Sequence, residues 1–275
     1  MGVLNVTPDS FSDGGKYEQA ELAVEQALGL ERAGADLLDI GGESTRPGAQ
    51  ETSDSEELDR ILPVLEGLRG RLKIPVSVDT RRSAVAEFAI RGGAEIINDV
   101  SGLRSDARMA ETAAKHGVPL VLMHMRGEPR TMQRGPFARD VVRDVAGGLR
   151  VSVGKALKAG VRRAQIILDP GIGFGKTHSQ NYELIEKVSV FLELGYPLLI
   201  GTSRKGFLGA TLARDGQPAP PEERIWGTAA TVTASILGGV HIVRVHDVVE
   251  MVQVARVADS ILNPRKAPKS PDPSE

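Results

Sequence analysis

PVSVDTRRSAVAEFAIRG (Pro75–Gly92) carries three signals in succession. Pro75–Val78 is a short valine-rich run, and Asp79-Thr80-Arg81 is polar. Arg82–Arg91 then spaces its apolar residues for one face of a helix, and Gly92 stands where a left-handed cap favours glycine. Strand, loop and helix in that order make one βα unit.

The same order recurs on both sides of this stretch. The further apolar runs are Val3–Val6, Leu37–Ile40, Glu95–Ile97, Leu120–Met123, Ile166–Leu168, Leu198–Ile200 and Ile242–Val245, eight in all with Pro75–Val78. The further helical patterns are Glu18–Ala33, Ser55–Arg69, Asp106–His116, Phe137–Lys158, Ser179–Leu194, Pro221–Leu237 and Asp247–Ile261. Gly34, Gly92, Gly117, Gly160, Gly195 and Gly238 are read as caps just past helix ends. The apolar runs are continuous rather than alternating, as in parallel strands buried on both faces. Eight such units predict an α/β fold, a (β/α)8 TIM barrel, for which about 250 residues is typical. A doubly wound sheet would rarely carry eight units so evenly. No linker interrupts the series, so a single domain is expected over 1–262. The tail 263–275 is rich in proline and poor in large apolar residues, and is expected to be disordered.

Composition excludes several function classes. The 275 residues are 41% hydrophobic and 25% charged, enough for a sizeable core, with a net charge of −2. No basic block points to nucleic acid or a membrane surface, and the 4% aromatic content argues against a base-stacking platform. No long apolar run or charged leader appears, so a soluble, cytoplasmic protein is expected. Cysteine is absent, which removes disulfides, thiolate nucleophiles and cysteine-based metal sites.

Barrels of this kind place chemistry in the loops after the strands. Those positions hold Asn5, Gly41–Gly48, Asp79-Thr80-Arg81, Asn98-Asp99, His124-Met125, Asp169-Pro170-Gly171, Ser203-Arg204-Lys205, and Arg244 with His246. Asn5–Gly15, NVTPDSFSDGG, is either a solvated turn or a ligand loop. Gly171–Thr177 fails the phosphate-loop pattern at Pro170 and the dinucleotide pattern at Lys176. Gly201–Lys205 fails the nucleophile elbow at Lys205. What remains is Asp79, Asn98 and Asp169, which suit a flat heterocycle with several N–H donors, such as a pterin or purine edge. Asp79 reads equally as a helix cap. Arg204, Lys205, Arg244 and His246 follow the last two strands, where barrels often bind phosphate. His246 has a core, backbone-bonded reading beside that one, and His116 and His241 are read as structural.

The motifs taken together resemble dihydropteroate synthase. They are NVTPDSFSDGG (Asn5–Gly15), GGESTRPG (Gly41–Gly48), SVDT (Ser77–Thr80), IIND (Ile96–Asp99), LDPGIGFGK (Leu168–Lys176), GTSRKGF (Gly201–Phe207) and RVHDV (Arg244–Val248). That family joins 6-hydroxymethyl-7,8-dihydropterin diphosphate to 4-aminobenzoate in folate synthesis, releasing diphosphate. The resemblance implies that Asp79, Asn98, Asp169 and Lys205 hold the pterin, with Gly201 in the same site and Met123 and Phe174 packed on the ring. It implies that Arg244 and His246 take the diphosphate, with Asn5 helping to place Mg2+ on it. Thr45 and Arg46 would reach over the substrate, and Phe11, Pro47 and Ser203 would lie on the aminobenzoate side. Asp79, Asp169 and Lys205 are the expected catalytic residues, and a homodimer and a sulfonamide target are implied. Two departures stand out. Gly206 occupies a position where the family often has serine, and Met1 abuts the first strand, so either the barrel floor is less covered or the start is not the native one. The rivals are a barrel that transfers methyl from methyltetrahydrofolate to a corrinoid protein and a silent pterin-binding paralogue. A Schiff-base aldolase is poorly served by Lys205 beside Arg204.

Overall fold

Continuous apolar runs do become parallel strands in the computed structural model, which describes residues 1–7, 16–43, 52–128 and 131–266. They are β1 (Gly2–Asn5), β2 (Leu38–Gly41), β3 (Val76–Asp79), β4 (Ile96–Asp99), β5 (Leu120–Met123), β6 (Ile166–Asp169), β7 (Leu199–Ile200) and β8 (Ile242–Val243). β1 to β6 form one sheet in sequence order and β7 pairs with β8, every pair parallel. Single bridges close the gaps, Leu168 to Leu198 and Gly2 to Val245. The ring is a (β/α)8 barrel, as expected.

The helices are α1 (Lys16–Arg32), α2 (Asp54–Leu68), α3 (Ser83–Gly92), α4 (Met109–His116), α5 (Val141–Lys158), α6 (His178–Glu186), α7 (Ser189–Leu192), α8 (Gly206–Thr211), α9 (Ile225–Leu237) and α10 (Val248–Leu262). α2 starts where its sequence says it should. Ser53 accepts from the Glu56 N–H, and Glu56 returns the bond to the Ser53 N–H, a reciprocal capping box.

Several expected boundaries move. Gly92 is the last residue of α3, and Gly93 takes the left-handed cap at φ 119°. Gly238 is right-handed, and Gly239 at φ 95° makes the turn. The Ser179–Leu194 pattern breaks into α6 and α7, Pro221–Arg224 is a 3₁₀ turn ahead of α9, and α5 begins at Val141 rather than Phe137. α8 is an additional short helix after β7. Pro264–Lys266, at the start of the tail expected to be disordered, form a 3₁₀ turn, and 267–275 lie outside the described residues.

Strand alternation sorts side chains into two cores. Leu38, Ile40, Val76, Val78, Leu120, Leu122, Ile166 and Leu168 face the helices and join the main apolar cluster. The residues between them face inward. The barrel floor is apolar, built from Met1, Ile96, Val121 and Leu199 with Leu37, Ile167 and Ile242 packed beside them. Met1 is 9% exposed and its ammonium donates to the Val243 carbonyl at 2.9 Å, so its side chain fills the floor. Two residues further along several strands the inward positions turn polar: Asp39, Ser77 and Asp79, Asn98, Asp169 and Arg244. A barrel interior is normally filled by bulky branched side chains. Here its upper half is given over to charge and amide groups.

Candidate active site

β2 to β4 supply the acidic wall. The register sets Asp39 beside Ser77 and Asp79 beside Asn98. Asn98 Nδ2 donates to Asp39 Oδ2 at 3.1 Å, and both residues are buried. Asp39 lies inside an apolar run, so reading strand ends alone passes over it, although its place two residues before Gly41 puts it on the inward face of β2.

Arg244 crosses to this wall. Its Nε donates to Asp39 Oδ2 at 2.6 Å and its Nη2 to Asp79 Oδ2 at 2.9 Å. Burial pushes the Asp79 carboxyl above the ordinary range; Arg244 pulls against this while Asp39 adds repulsion. Asp79 does not cap α3, whose N-cap is Arg82. That removes the helix-cap reading. Asp39 Oδ1, Ser77 Oγ and Asn98 Oδ1 are buried and have no hydrogen-bond partner among the described residues. Two of the three can only accept, so this wall offers itself to N–H donors.

β5 to β7 supply the opposite side. Asp169 pairs in register with Met123. Its Oδ1 accepts the Gly171 N–H at 2.7 Å, and burial raises its carboxyl despite that bond and the nearby Lys205. Met123 packs with Val100, Met125 and Met132, and Phe174 lies against them. Lys205 Nζ sits 4.1 Å from the centre of the Phe174 ring. Burial lowers its ammonium to about 8, although Asp169 favours the charge. Gly201 lies beside Arg244, whose Cβ is 3.7 Å from where a glycine Cβ would stand.

Lys176, whose motif failed as a phosphate loop, has a positioning role. Its buried Nζ donates to the carbonyls of Gly171 at 2.8 Å, Phe174 at 2.9 Å and His124 at 3.1 Å. This ties the turn after β6 to the end of β5. Gly171 cannot be replaced there: its φ is 69°, and a Cβ would come within 1.9 Å of the His124 carbonyl oxygen. His124 is buried between cations and neutral, lowered to about 3 chiefly by burial. Asp99 turns away from the pocket and caps the following turn through the N–H groups of Ser101 and Leu103.

Arg204, in the left-handed region at φ 58°, forks onto both oxygens of Asp247. Burial first, then Arg244 and Arg204, lowers His246 to about 4, so at neutral pH it is a hydrogen-bond donor and not a cation. Its backbone N–H donates to Ser203 Oγ at 3.2 Å, and its Nδ1 lies 3.0 Å from the same oxygen. When Ser203 donates to Nδ1, the ring carries its hydrogen on Nε2. His116 bonds Glu87 at 2.8 Å and His241 accepts the Leu198 N–H at 3.2 Å, both structural as expected.

Asn5 closes β1 on the inward face, paired in register with Gly41. Among the described residues no three histidine, aspartate or glutamate side chains gather as a metal cage. A single amide oxygen fits an ion that takes most of its ligands from substrate phosphate and water, as Mg2+ commonly does. Phe11, Thr45, Arg46 and Pro47 lie outside the described residues.

The model of the pterin binding enzyme family matches residues 1–246. The chain is 48% identical to dihydropteroate synthase of Bacillus subtilis, over 96% of this chain and 88% of that protein. It is 47% identical to that of Synechocystis, over 95% and 89%. Among solved structures, a Clostridium difficile dihydropteroate synthase with pteroic acid superposes with a TM-score of 0.88 at 42% identity, covering 95% of both chains. A Xanthomonas albilineans dihydropteroate synthase with 4-aminobenzoic acid gives a TM-score of 0.88 at 41% identity, over 96% of this chain and 92% of that one. The chain belongs to the pterin-binding enzymes and, among them, to the dihydropteroate synthases, transferases of folate synthesis.

Proposed function

We propose that this chain joins 6-hydroxymethyl-7,8-dihydropterin diphosphate to 4-aminobenzoate at the mouth of its barrel, within one domain spanning 1–262. The observation that carries the reading is the convergence of Asp79, Asn98 and Asp169 from separate strands opposite Lys205 and Phe174. Acceptors on two sides of a slot walled by Met123 suit a flat ring with N–H groups on its edge. Lys205 caps the pterin from the Phe174 side, and Gly201 leaves room beside Arg244. Arg244 uses Nε and Nη2 on the acidic wall, so its Nη1 edge is left for diphosphate oxygens, with His246 donating from Nε2. Asn5 would give one oxygen to Mg2+, which when bound neutralises charge on the leaving diphosphate.

The reaction needs no covalent intermediate with the protein. The amine nitrogen bonds to the exocyclic methylene carbon, the carbon–oxygen bond to diphosphate breaks, and the nitrogen releases its extra proton to solvent. Positive charge grows on the methylene and spreads into the ring, where Asp79 and Asp169 oppose it. Arg244 and His246 meet the negative charge on the departing oxygens. Thr45 and Arg46 are proposed to reach over the substrate, with Ser203, Phe11 and Pro47 on the aminobenzoate side, where a sulfonamide would compete. The same pocket would serve methyl transfer from a folate less well, because Arg244 and His246 would then face no phosphate.

Helices α9 and α10 expose Trp226 (80%), Val249, Val257, Ile261 and Leu262, an apolar face that supports a homodimer. No described helix is long and apolar enough to cross a membrane. The deciding experiment measures diphosphate released from the dihydropterin diphosphate with Mg2+, with and without 4-aminobenzoate. Amine-dependent release with dihydropteroate formed is expected. Pterin binding without release would instead identify a silent paralogue.

A further inference from the structure

The turns after β7 and β8 are joined to each other at two successive points. Ser203 Oγ accepts the His246 N–H at 3.2 Å and lies 3.0 Å from His246 Nδ1. One residue further along each turn, Arg204 grips Asp247, Nε to Oδ2 at 3.0 Å and Nη2 to Oδ1. Asp247 is the N-cap residue of α10, where an aspartate ordinarily accepts a helical N–H. Its side chain makes no such bond among the described residues, and both its oxygens go to Arg204.

The backbone of Arg204 is held on the other side by α9 and the turn before it. A residue with a side chain rarely keeps a left-handed φ of 58° unless its surroundings impose it. The Arg204 N–H donates to Thr228 Oγ1 at 3.2 Å, and its carbonyl accepts from Arg224 Nη1 at 2.8 Å. Arg224 is fixed in turn by the Ala219 carbonyl at 2.7 Å from Nε. A Cβ at Gly209 would stand 2.6 Å from that same nitrogen, so the glycine makes room for the guanidinium. The Arg204 and Asp247 side chains are 39% and 12% exposed, and a pair so open to water adds little stability. What the fork provides is register, because a planar guanidinium fixes its angle to a carboxylate.

The groups that need this register flank it. Lys205 follows Arg204 directly and reaches the face of Phe174. His246 precedes Asp247 directly, and Arg244 stands two residues before His246. One turn therefore carries the ring half of the first substrate's site and the other carries its diphosphate half. We propose that Arg204 and Asp247 are a positioning pair that sets the spacing between these two halves. The inference rests on the function proposed above. A ligand that meets one half alone makes no demand on the spacing. A ligand that spans both does, since its second contact gains from the first only when the geometry fits.

The test titrates three ligands calorimetrically into Asp247→Asn, Arg204→Lys and the unsubstituted chain, with Mg2+ and without 4-aminobenzoate. The ligands are a dihydropterin lacking diphosphate, diphosphate alone, and 6-hydroxymethyl-7,8-dihydropterin diphosphate. Asp247→Asn keeps the size and breaks the fork. It is expected to weaken the joined substrate about tenfold or more, while each separate ligand moves about twofold at most. Arg204→Lys keeps the charge and loses the fork, and should behave in the same way. Should it fail to fold, Asp247→Asn decides alone. An unmoved affinity for the joined substrate overturns the pair, as does an equal loss for all three ligands, which would mark a merely structural role. Diphosphate alone that binds tighter to Asp247→Asn also overturns it, because the freed Arg204 would then be a ligand itself. An unsubstituted chain that binds the joined substrate no tighter than the dihydropterin overturns the proposed function, and the pair with it.

Discussion

Arg244 Nε lies 2.6 Å from Asp39 Oδ2, joining the eighth strand to the second across the barrel interior. Asp39 is fully buried, and its remaining partner is Asn98 Nδ2. Asp39 therefore decides where the guanidinium sits before any ligand arrives. Asp39→Asn removes the charge that balances Arg244 and is expected to destabilise the protein by about 3 kcal/mol in urea titration. It should also lower kcat/KM for the pterin diphosphate about a hundredfold, because a displaced guanidinium no longer meets the leaving group. A variant that melts and turns over like the parent would remove Asp39 from this role.

Asp79→Asn separates binding from chemistry. The amide keeps the shape and one acceptor, so pterin affinity should fall by about threefold. Charge developing on the methylene loses its counter-charge, and kcat should fall by about a hundredfold. Equal losses in kcat and affinity would show that the carboxylate only binds.

The architecture was legible because each buried parallel strand is a continuous apolar run and each crossover a periodic one. Where expectations moved, tertiary contacts had overruled local signals. The strands extend through Asp79, Asn98 and Asp169, polar residues that end a run by composition but still point inward in register. Asp39 was hidden for the same reason, as a charge inside an apolar run whose importance depends on Arg244 in a distant part of the chain. Position alone also cannot show that Arg204 is paired with Asp247. Lys176 looked like a failed motif because three backbone carbonyls have no sequence signature.

His246 gives a pH signature. Its folded pKa of about 4 lies below the unfolded value near 6.5, so the fold holds the neutral ring. For a base depressed in this way, stability is present above the unfolded pKa and is lost as pH falls toward the folded one. Between pH 7 and pH 5 the parent should lose about 2 kcal/mol more than His246→Asn. Chemical denaturation of both proteins at the two pH values measures the difference. Parallel curves would mean that His246 titrates normally.

Lys176→Met keeps the stem and removes the ammonium. Three carbonyls at the ends of β5 and β6 would lose their donor, at a cost of about 3 kcal/mol in total. The turn that places Phe174 would loosen, so pterin affinity should fall by about tenfold as well. Titration of the folded variant reads the second effect separately from the first. An unchanged affinity in a destabilised variant would make Lys176 structural only.

Gly206 offers a gain rather than a loss. It is the first residue of α8 and directly follows Lys205, and no atom lies within 4 Å of where its Cβ would stand. The backbone there is ordinary, so glycine is required by neither space nor conformation. Replacing it reduces the freedom of the unfolded chain, which should stabilise the protein by about 0.5 kcal/mol. A serine would also place a hydroxyl at the rim of the site, beside Ser203 and Lys205, where a carboxylate could accept a hydrogen bond. Gly206→Ser is therefore expected to lower KM for 4-aminobenzoate by about threefold to tenfold, leaving pterin affinity unchanged. Gly206→Ala separates the two effects, since it should share the added stability and none of the tighter binding. If alanine and serine tighten aminobenzoate equally, the gain comes from the backbone. If neither does, the carboxylate binds elsewhere on the rim.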